Sequence, residues 1–295
     1  MKPAPAQSQT TVSKVVAKSD AEEFTDVLAV EEPLEIRLQP DGMPHRPVSI
    51  TMRTPGHDIE LAAGFLFTEG IIKRRADIRD IRHCGPKGRN TSGSECAPEQ
   101  EAAAKYNTVL VELAEDVEVD LKRLKRNFYT TSSCGVCGKS SIEALRTGVT
   151  KLPADKFAID GDLIHELPQI LRRTQSVFKK TGGLHASALF TEKGGIETIR
   201  EDVGRHNALD KVIGAKFLTG ELPAQRSILF VSGRTSFELV QKALMAGIPV
   251  MAAVGAPSSL AVELAREYGM TLIGFVRDER FNIYCGKERI RNCKL

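Results

Sequence analysis

The first regular pattern in the chain is an alternation of apolar and polar positions. Leu34-Glu-Ile-Arg-Leu38 and Val48-Ser-Ile-Thr-Met52 each repeat with a period of two, and Asp41-Gly42 lies between them. That pattern predicts a β-hairpin. After Pro55-Gly56 the period changes. Ile59, Leu61, Ala62, Phe65 and Leu66 recur at helical spacing over residues 57–67, and Gly70 closes the segment. Residues 85–105 are a loop of Gly, Pro, Ser and Glu that ends in an Ala-rich patch. Thr108-Val-Leu-Val-Glu-Leu113 then returns to a strand pattern. The first half reads as a small α+β unit.

The second half has another rhythm. Asp160 is placed to cap a helix over 163–180, which Gly182-Gly183 ends and Pro168 can kink or divide. His185–Phe190 and Ile196–Ile199 read as strands joined by the turn at 192–195. Asp202 caps a further helix, whose apolar face is Ala208, Leu209, Val212, Ile213 and Phe217. Three apolar runs follow, at 227–231, 249–254 and 271–276, separated by helices near 237–246 and 259–268. A β-α-β-α-β order implies a parallel sheet with right-handed crossovers. The fold class is therefore α/β.

Ligands of such sheets bind at the carboxyl ends of the strands. Three loops arrive there: Ser232-Gly233-Arg234-Thr235-Ser236, Gly255-Ala256-Pro257-Ser258-Ser259, and Arg277-Asp278-Glu279-Arg280. The first two lead into helices, whose free N–H groups and dipole suit phosphate. Arg234, Arg277 and Arg280 add bidentate donors. The bland alternative is that the Ser and Thr residues only cap helices. Neither loop is a Walker motif or a Gly-x-Gly-x-x-Gly fingerprint. A second polar cluster spans Glu201, Asp202, Val203, Gly204, Arg205, His206 and Asn207. With Asp202 spent on capping, Arg205, His206 and Asn207 are left to meet a ligand or a sheet-edge partner. His185, at the start of its strand, either lines the same cleft or is merely packed.

Composition narrows the classes. The chain has 295 residues, 41% of them hydrophobic, and a formal net charge of only +3. That balance gives no reason to expect nucleic-acid binding but is compatible with an anionic small ligand. The runs Lys73-Arg74-Arg75 and 122–126 read as solvated helix faces. No apolar stretch approaches 18 residues, so no membrane span is expected. Residues 1–20 have the composition of a disordered tail without a signal-peptide core, which points to the cytoplasm. The six cysteines are then expected to be reduced thiols.

Only Cys134 and Cys137 form a close pair, in Thr130-Thr-Ser-Ser-Cys-Gly-Val-Cys-Gly-Lys139. A Cys-x-x-Cys pair beside a cation can have a depressed thiol pKa and so a reactive thiolate. The small residues around it leave the sulfurs uncovered. With one close pair, a zinc site completed by Cys84 and Cys96 is the weaker reading, and no metal is assigned. A thiol–disulfide oxidoreductase is also weaker, because that motif opens a helix after the first strand of its fold.

These blocks, with Arg53-Thr-Pro-Gly56, Gly64-Phe-Leu-Phe-Thr-Glu-Gly70, Gly182-Gly-Leu-His-Ala186 and the run from Glu201 to Lys211, resemble the signatures of the FdhD family over about residues 25–285. The resemblance implies an α+β N-terminal part over 21–128, a mobile cysteine loop and helix over 129–145, and a cytidine-deaminase-like α/β domain over 146–295. It implies a sulfurtransferase that takes persulfide sulfur from a cysteine desulfurase. The sulfur goes to the molybdenum bis(molybdopterin guanine dinucleotide) cofactor before that cofactor enters formate dehydrogenase. Cys134 and Cys137 would carry the sulfur, and Phe275, Val276, Arg277, Asp278, Glu279 and Arg280 would contact the cofactor. GDP-like nucleotides would mimic it, and a homodimer is implied. The zinc deaminase signature is missing, since His185-Ala-Ser187 has no Glu and the cysteine pair precedes the histidine. A cofactor-binding chaperone without sulfur transfer is the alternative.

Overall fold

The computed structural model describes residues 5–17, 20–84, 107–115, 117, 119, 149–153 and 157–292. Cys134 and Cys137, Cys96, Cys293 and the 85–105 loop lie outside these residues.

The predicted hairpin is present as β3 (Glu32–Gln39) and β4 (Arg46–Arg53), paired antiparallel. It continues into a four-stranded sheet with β5 (Ile78–His83) and β6 (Thr108–Leu113), in the order β4-β3-β6-β5. One face carries Leu34, Ile36, Leu38, Val48, Val109, Val111 and Leu113. Helix α1 (Asp58–Thr68) covers that face with Leu61, Ala62, Ala63 and Leu66. Each fully buried Leu or Ile stabilises by roughly 1.5–3 kcal/mol.

After the two-residue β7 (Ile159–Asp160), the larger sheet has six strands: β8 (His185–Phe190), β9 (Ile196–Asp202), β10 (Ile228–Val231), β11 (Val250–Ala253), β12 (Thr271–Arg277) and β13 (Arg280–Cys285). Their order is β13-β12-β11-β10-β8-β9. The β10–β11 and β11–β12 pairs are parallel, as the β-α-β-α-β reading requires, and antiparallel strands close both edges. Three helices pack one face: α4 (Arg205–Thr219), α5 (Phe237–Met245) and α6 (Ser259–Glu267). Ile164, Leu167 and Leu171 of α2 (Gly161–Thr174) pack the other. A sheet covered on both faces needs near-continuous apolar strands, and the central β10, β11 and β12 have them. The molecule is α/β. Among the described residues no helix is long and apolar enough to cross a membrane.

Three expectations are corrected. Residues 7–14, read as part of a disordered tail, form β1 (Gln7–Lys14), paired antiparallel with β2 (Glu22–Ala29). Val12 is the one large apolar residue of β1, so no period of two could be seen there. The helix placed over 163–180 is two helices. α2 is capped by Asp160 as expected, its carboxylate accepting from the Asp162 N–H at 3.0 Å, and it passes through Pro168. The break comes instead at Gln175, before the short α3 (Phe178–Thr181). Asp202 does not supply the α4 cap residue. That residue is Gly204, and Asp202 ends β9.

The two halves are locked by a close helix crossing. A Cβ placed on Gly64 of α1 would lie 1.9 Å from the Asp210 carbonyl oxygen of α4. One on Gly214 would lie 1.8 Å from that of Glu60. Only glycine permits this approach.

Candidate functional site

The carboxyl edge of the six-stranded sheet carries the site. At the end of β10, Ser232 accepts from the Ala186 N–H through Oγ (2.9 Å) and donates its own N–H to the Ala186 carbonyl (3.0 Å), tying this loop to β8. The three loops are stitched by backbone bonds. Gly255 N–H donates to Gly233 (3.0 Å), Thr235 N–H to Ala256 (3.1 Å), Ser258 N–H to Thr235 (3.0 Å) and Phe275 N–H to Gly255 (3.1 Å). The predicted loops thus form one surface.

Within that surface the hydroxyls divide. Ser258 is a helix cap, accepting from the Ala261 N–H at 3.2 Å, so the bland reading holds for it. Ser236 precedes α5 without capping it, and its hydroxyl lies 3.4 Å from His206 Nε2. The same nitrogen lies 2.9 Å from Glu238. Thr235 is 1% exposed, and its Oγ1 is buried with no partner among the described residues. Buried hydroxyls are ordinarily paired, so this one marks a position that a ligand or a water would complete. Arg234 and Ser259 are exposed.

A cavity of about 920 Å³ opens at the same edge on the α2 side. His185, Ser232, Val276, Arg277 and Asp278 line it, all anticipated from sequence. So do Gln169 and Arg172 of α2, Gln175 between the helices and Phe178 of α3, which the sequence reading missed. Their signal was the polar face of an amphipathic helix, indistinguishable from a solvated one. The α3 wall is fixed by Glu201, whose carboxylate accepts from the N–H groups of Val177 (3.0 Å) and Phe178 (2.8 Å).

His185 sits beside Gly233, where an added Cβ would meet the ring Nδ1 at 3.4 Å. Burial, and then the positive charge of Arg205, push its pKa below the usual histidine value. It is therefore a neutral imidazole near pH 7. Arg205 has a buried Nε without a partner among the described residues. The N-terminus of α4 beside it lacks a side-chain cap. The edge thus offers free donors to an anion.

The β12–β13 turn holds the third loop. Phe275 has φ 54 and is 39% exposed. A bulky residue in left-handed backbone is strained, and such strain clusters at ligand sites. Arg277 spends Nη1 on the carbonyls of Val254 (2.8 Å) and Val276 (2.9 Å), so it braces the turn rather than standing as a free clamp. Asp278 accepts from Gln169 Nε2 at 3.2 Å, and the Arg277 carbonyl lies 3.2 Å from His165 Nδ1. Glu279 and Arg280 are exposed.

Asp202 and Asn207 do not line the site. Asp202 is fully buried, and its carboxylate lies 2.6 Å from Lys211 Nζ. It also accepts from the Thr54 N–H (3.2 Å) and the Gly204 N–H (2.8 Å). Asn207 donates to the Met52 carbonyl (2.7 Å) and accepts from Thr51 Oγ1 (3.1 Å). The physical reason is desolvation. Buried polar groups need partners; Asn207 finds them in β4, and Asp202 in Lys211, Gly204 and Thr54. Of this cluster, Arg205 and His206 face the edge.

Comparison with known proteins gives a consistent result. The FdhD/NarQ family profile matches residues 29–291. The sulfur carrier protein FdhD of Streptomyces coelicolor is 51% identical, covering 90% of this chain and 89% of its own. That of Mycolicibacterium paratuberculosis is 50% identical over 90% and 92%. That of Anaeromyxobacter dehalogenans is 44% identical over 90% and 88%. A crystal structure described as a putative formate dehydrogenase accessory protein, from Desulfotalea psychrophila, superposes with a TM-score of 0.71 at 25% identity. It covers 97% of this chain and 100% of its own.

Proposed function

The chain belongs to the FdhD/NarQ family, and from that membership we propose that it is a sulfur carrier serving the maturation of a formate dehydrogenase. Cys134 and Cys137 carry the sulfur. A thiolate on either attacks the outer sulfur of a cysteine desulfurase persulfide. A sulfur–sulfur bond forms on this chain, and the desulfurase thiolate leaves, so no net oxidation occurs. Release as sulfide takes two electrons, which the second cysteine supplies by closing a disulfide with the first. Between donor and acceptor the protein works as a homodimer in the cytoplasm.

The acceptor is the molybdenum bis(molybdopterin guanine dinucleotide) cofactor, bound as cargo. The observation that carries this is the stitched carboxyl edge, which holds an orphaned Thr235 hydroxyl, two helix N-termini without side-chain caps and an exposed Phe275, with a large cavity opening at the same edge. Those groups fit a dinucleotide. Backbone N–H groups and Arg205 suit the diphosphate, and Phe275 offers a face to a planar ring. His185 stays neutral there and adds no charge of its own.

The test is complementation. In a host lacking its own copy, the wild-type chain restores formate dehydrogenase activity, and the chain carrying both Cys134→Ala and Cys137→Ala does not. Restoration by the double variant would leave only the reading of a cofactor-binding chaperone without sulfur transfer.

A further inference from the structure

Strands β1 and β2 form a two-stranded sheet of their own, outside the two larger sheets. A lone two-stranded hairpin is marginally stable in water. The base of this arm touches α3, where a Cβ on Gly183 would lie 3.8 Å from the Ala29 Cβ. Away from that base the arm carries apolar side chains into solvent. Four of the eight large apolar residues exposed among the described residues fall here: Val15, Val16, Phe24 and Leu28. The register sets Val12 opposite Phe24 and Ser8 opposite Leu28, so Val12, Phe24 and Leu28 share one face.

The open backbone edge is the second observation. Among the described residues β1 has a sheet neighbour on one side only. Native edges are blunted by charge, proline or bulges, and the other edges of these sheets follow that rule. β4 carries Pro47, β5 carries Asp80 and Arg82, β9 carries Glu197 and Arg200, and β13 pairs through register shifts. β2 carries Glu22, Glu23 and Asp26. β1 has none of these devices. Over its eight residues the one charge is Lys14, at the end.

Resting on the homodimer reading above, we propose that β1 pairs antiparallel with β1 of a second copy. The two arms then join into one four-stranded sheet across the two-fold axis. The sequence of β1 is complementary to itself. Run antiparallel about its centre, at Thr10 or Thr11, it sets neutral polar residues opposite one another, and Lys14 of each copy meets a neutral residue. β2 run against itself would bring three carboxylates per copy into one seam, and like charges opposite each other destabilise. The contact is isologous, as a two-fold interface requires. Four strands with an apolar face meet the condition for stability that two do not. An axis perpendicular to the sheet keeps Val12, Phe24 and Leu28 of both copies on the same face. Each arm springs from beside Gly183, which lines the cavity, so the seam begins next to the cargo site.

The test is sedimentation equilibrium of the full chain over a dilution series. Gln9 and Thr11 are exposed and share the other face of β1. In the paired arms they fall opposite each other, or Thr11 falls opposite itself. Two double variants are compared with wild type: Gln9→Glu with Thr11→Glu, and Gln9→Lys with Thr11→Lys. Wild type is expected to be a dimer. Each variant is expected to dimerise about tenfold more weakly, because like charges oppose each other across the seam. Mixed one to one, the two variants are expected to regain wild-type association, since opposite charges then meet. Wild-type association in each variant alone, or a mixture as weak as its parts, overturns the proposal and leaves the homodimer reading in place. The second of those results would assign the arm to a different protein. A monomeric wild type removes the homodimer reading, and this proposal with it.

Discussion

Lys211 Nζ lies 2.6 Å from the Asp202 carboxylate, with both side chains out of reach of solvent. The ammonium also donates to the Thr54 carbonyl at 2.9 Å. This pair therefore clasps the Arg53-Thr-Pro-Gly56 turn of the first half to the β9–α4 junction of the second. Removing one partner of a buried ion pair strands the other and costs about 3–5 kcal/mol. Lys211→Met is expected to destabilise by about that much in denaturant unfolding. Lys211→Met combined with Asp202→Asn is expected to recover part of the loss.

The α1–α4 crossing gives a second stability prediction. An alanine at Gly64 or Gly214 gains helix propensity of about 1 kcal/mol. Its methyl, however, meets a backbone oxygen within 2 Å. The clash with backbone outweighs the gain, so each variant is expected to lower the denaturant midpoint. Overpacking costs about 1–3 kcal/mol. An unchanged or raised midpoint would mean the helices separate at little cost.

Glu60 sets a pH dependence. Burial alone would raise its pKa, but hydrogen bonds from Arg200 (2.7 Å) and His57 outweigh burial and hold it at about 2, against 4.5 in the open chain. A carboxylate depressed on folding contributes stability that is fully present above pH 4.5 and is lost as the pH falls from there through about 2. Partial exposure trims the contribution to on the order of 2 kcal/mol. Acid unfolding of Glu60→Gln is expected to show a flatter slope between those pH values, with a difference from wild type that vanishes towards pH 2.

Phe275 separates strain from function. Left-handed backbone costs a non-glycine residue about 1–2 kcal/mol, so Phe275→Gly is expected to unfold at an equal or higher temperature. The same change removes the exposed ring and is expected to weaken GDP binding. A variant that loses stability and keeps its affinity would show the ring to be structural.

The sequence made β6 and β8 legible to the residue, because a short apolar run between turn signals leaves few alternatives. It also placed the three loops at one sheet edge, since parallel strands impose that. What stayed hidden were pairings across long sequence distances. Asn207 looked like a ligand contact because nothing local accounts for it, and Asp202 looked like a helix cap. Their partners, Thr51, Met52 and Thr54, come from β4 and the residue after it, about 150 residues away. Gln169 was hidden for the same reason, being polar on an amphipathic helix until Asp278 is set beside it. β1 was hidden because its stability comes from pairing with β2 rather than from apolar content.

Sulfur carriage is the central claim, and intact-protein mass spectrometry tests it most directly. The chain is incubated with a cysteine desulfurase and cysteine, and wild type is compared with Cys134→Ala and Cys137→Ala. The account predicts a gain of one sulfur, about 32 Da, that reductant reverses and that one of the two variants loses. No gain on wild type would contradict it.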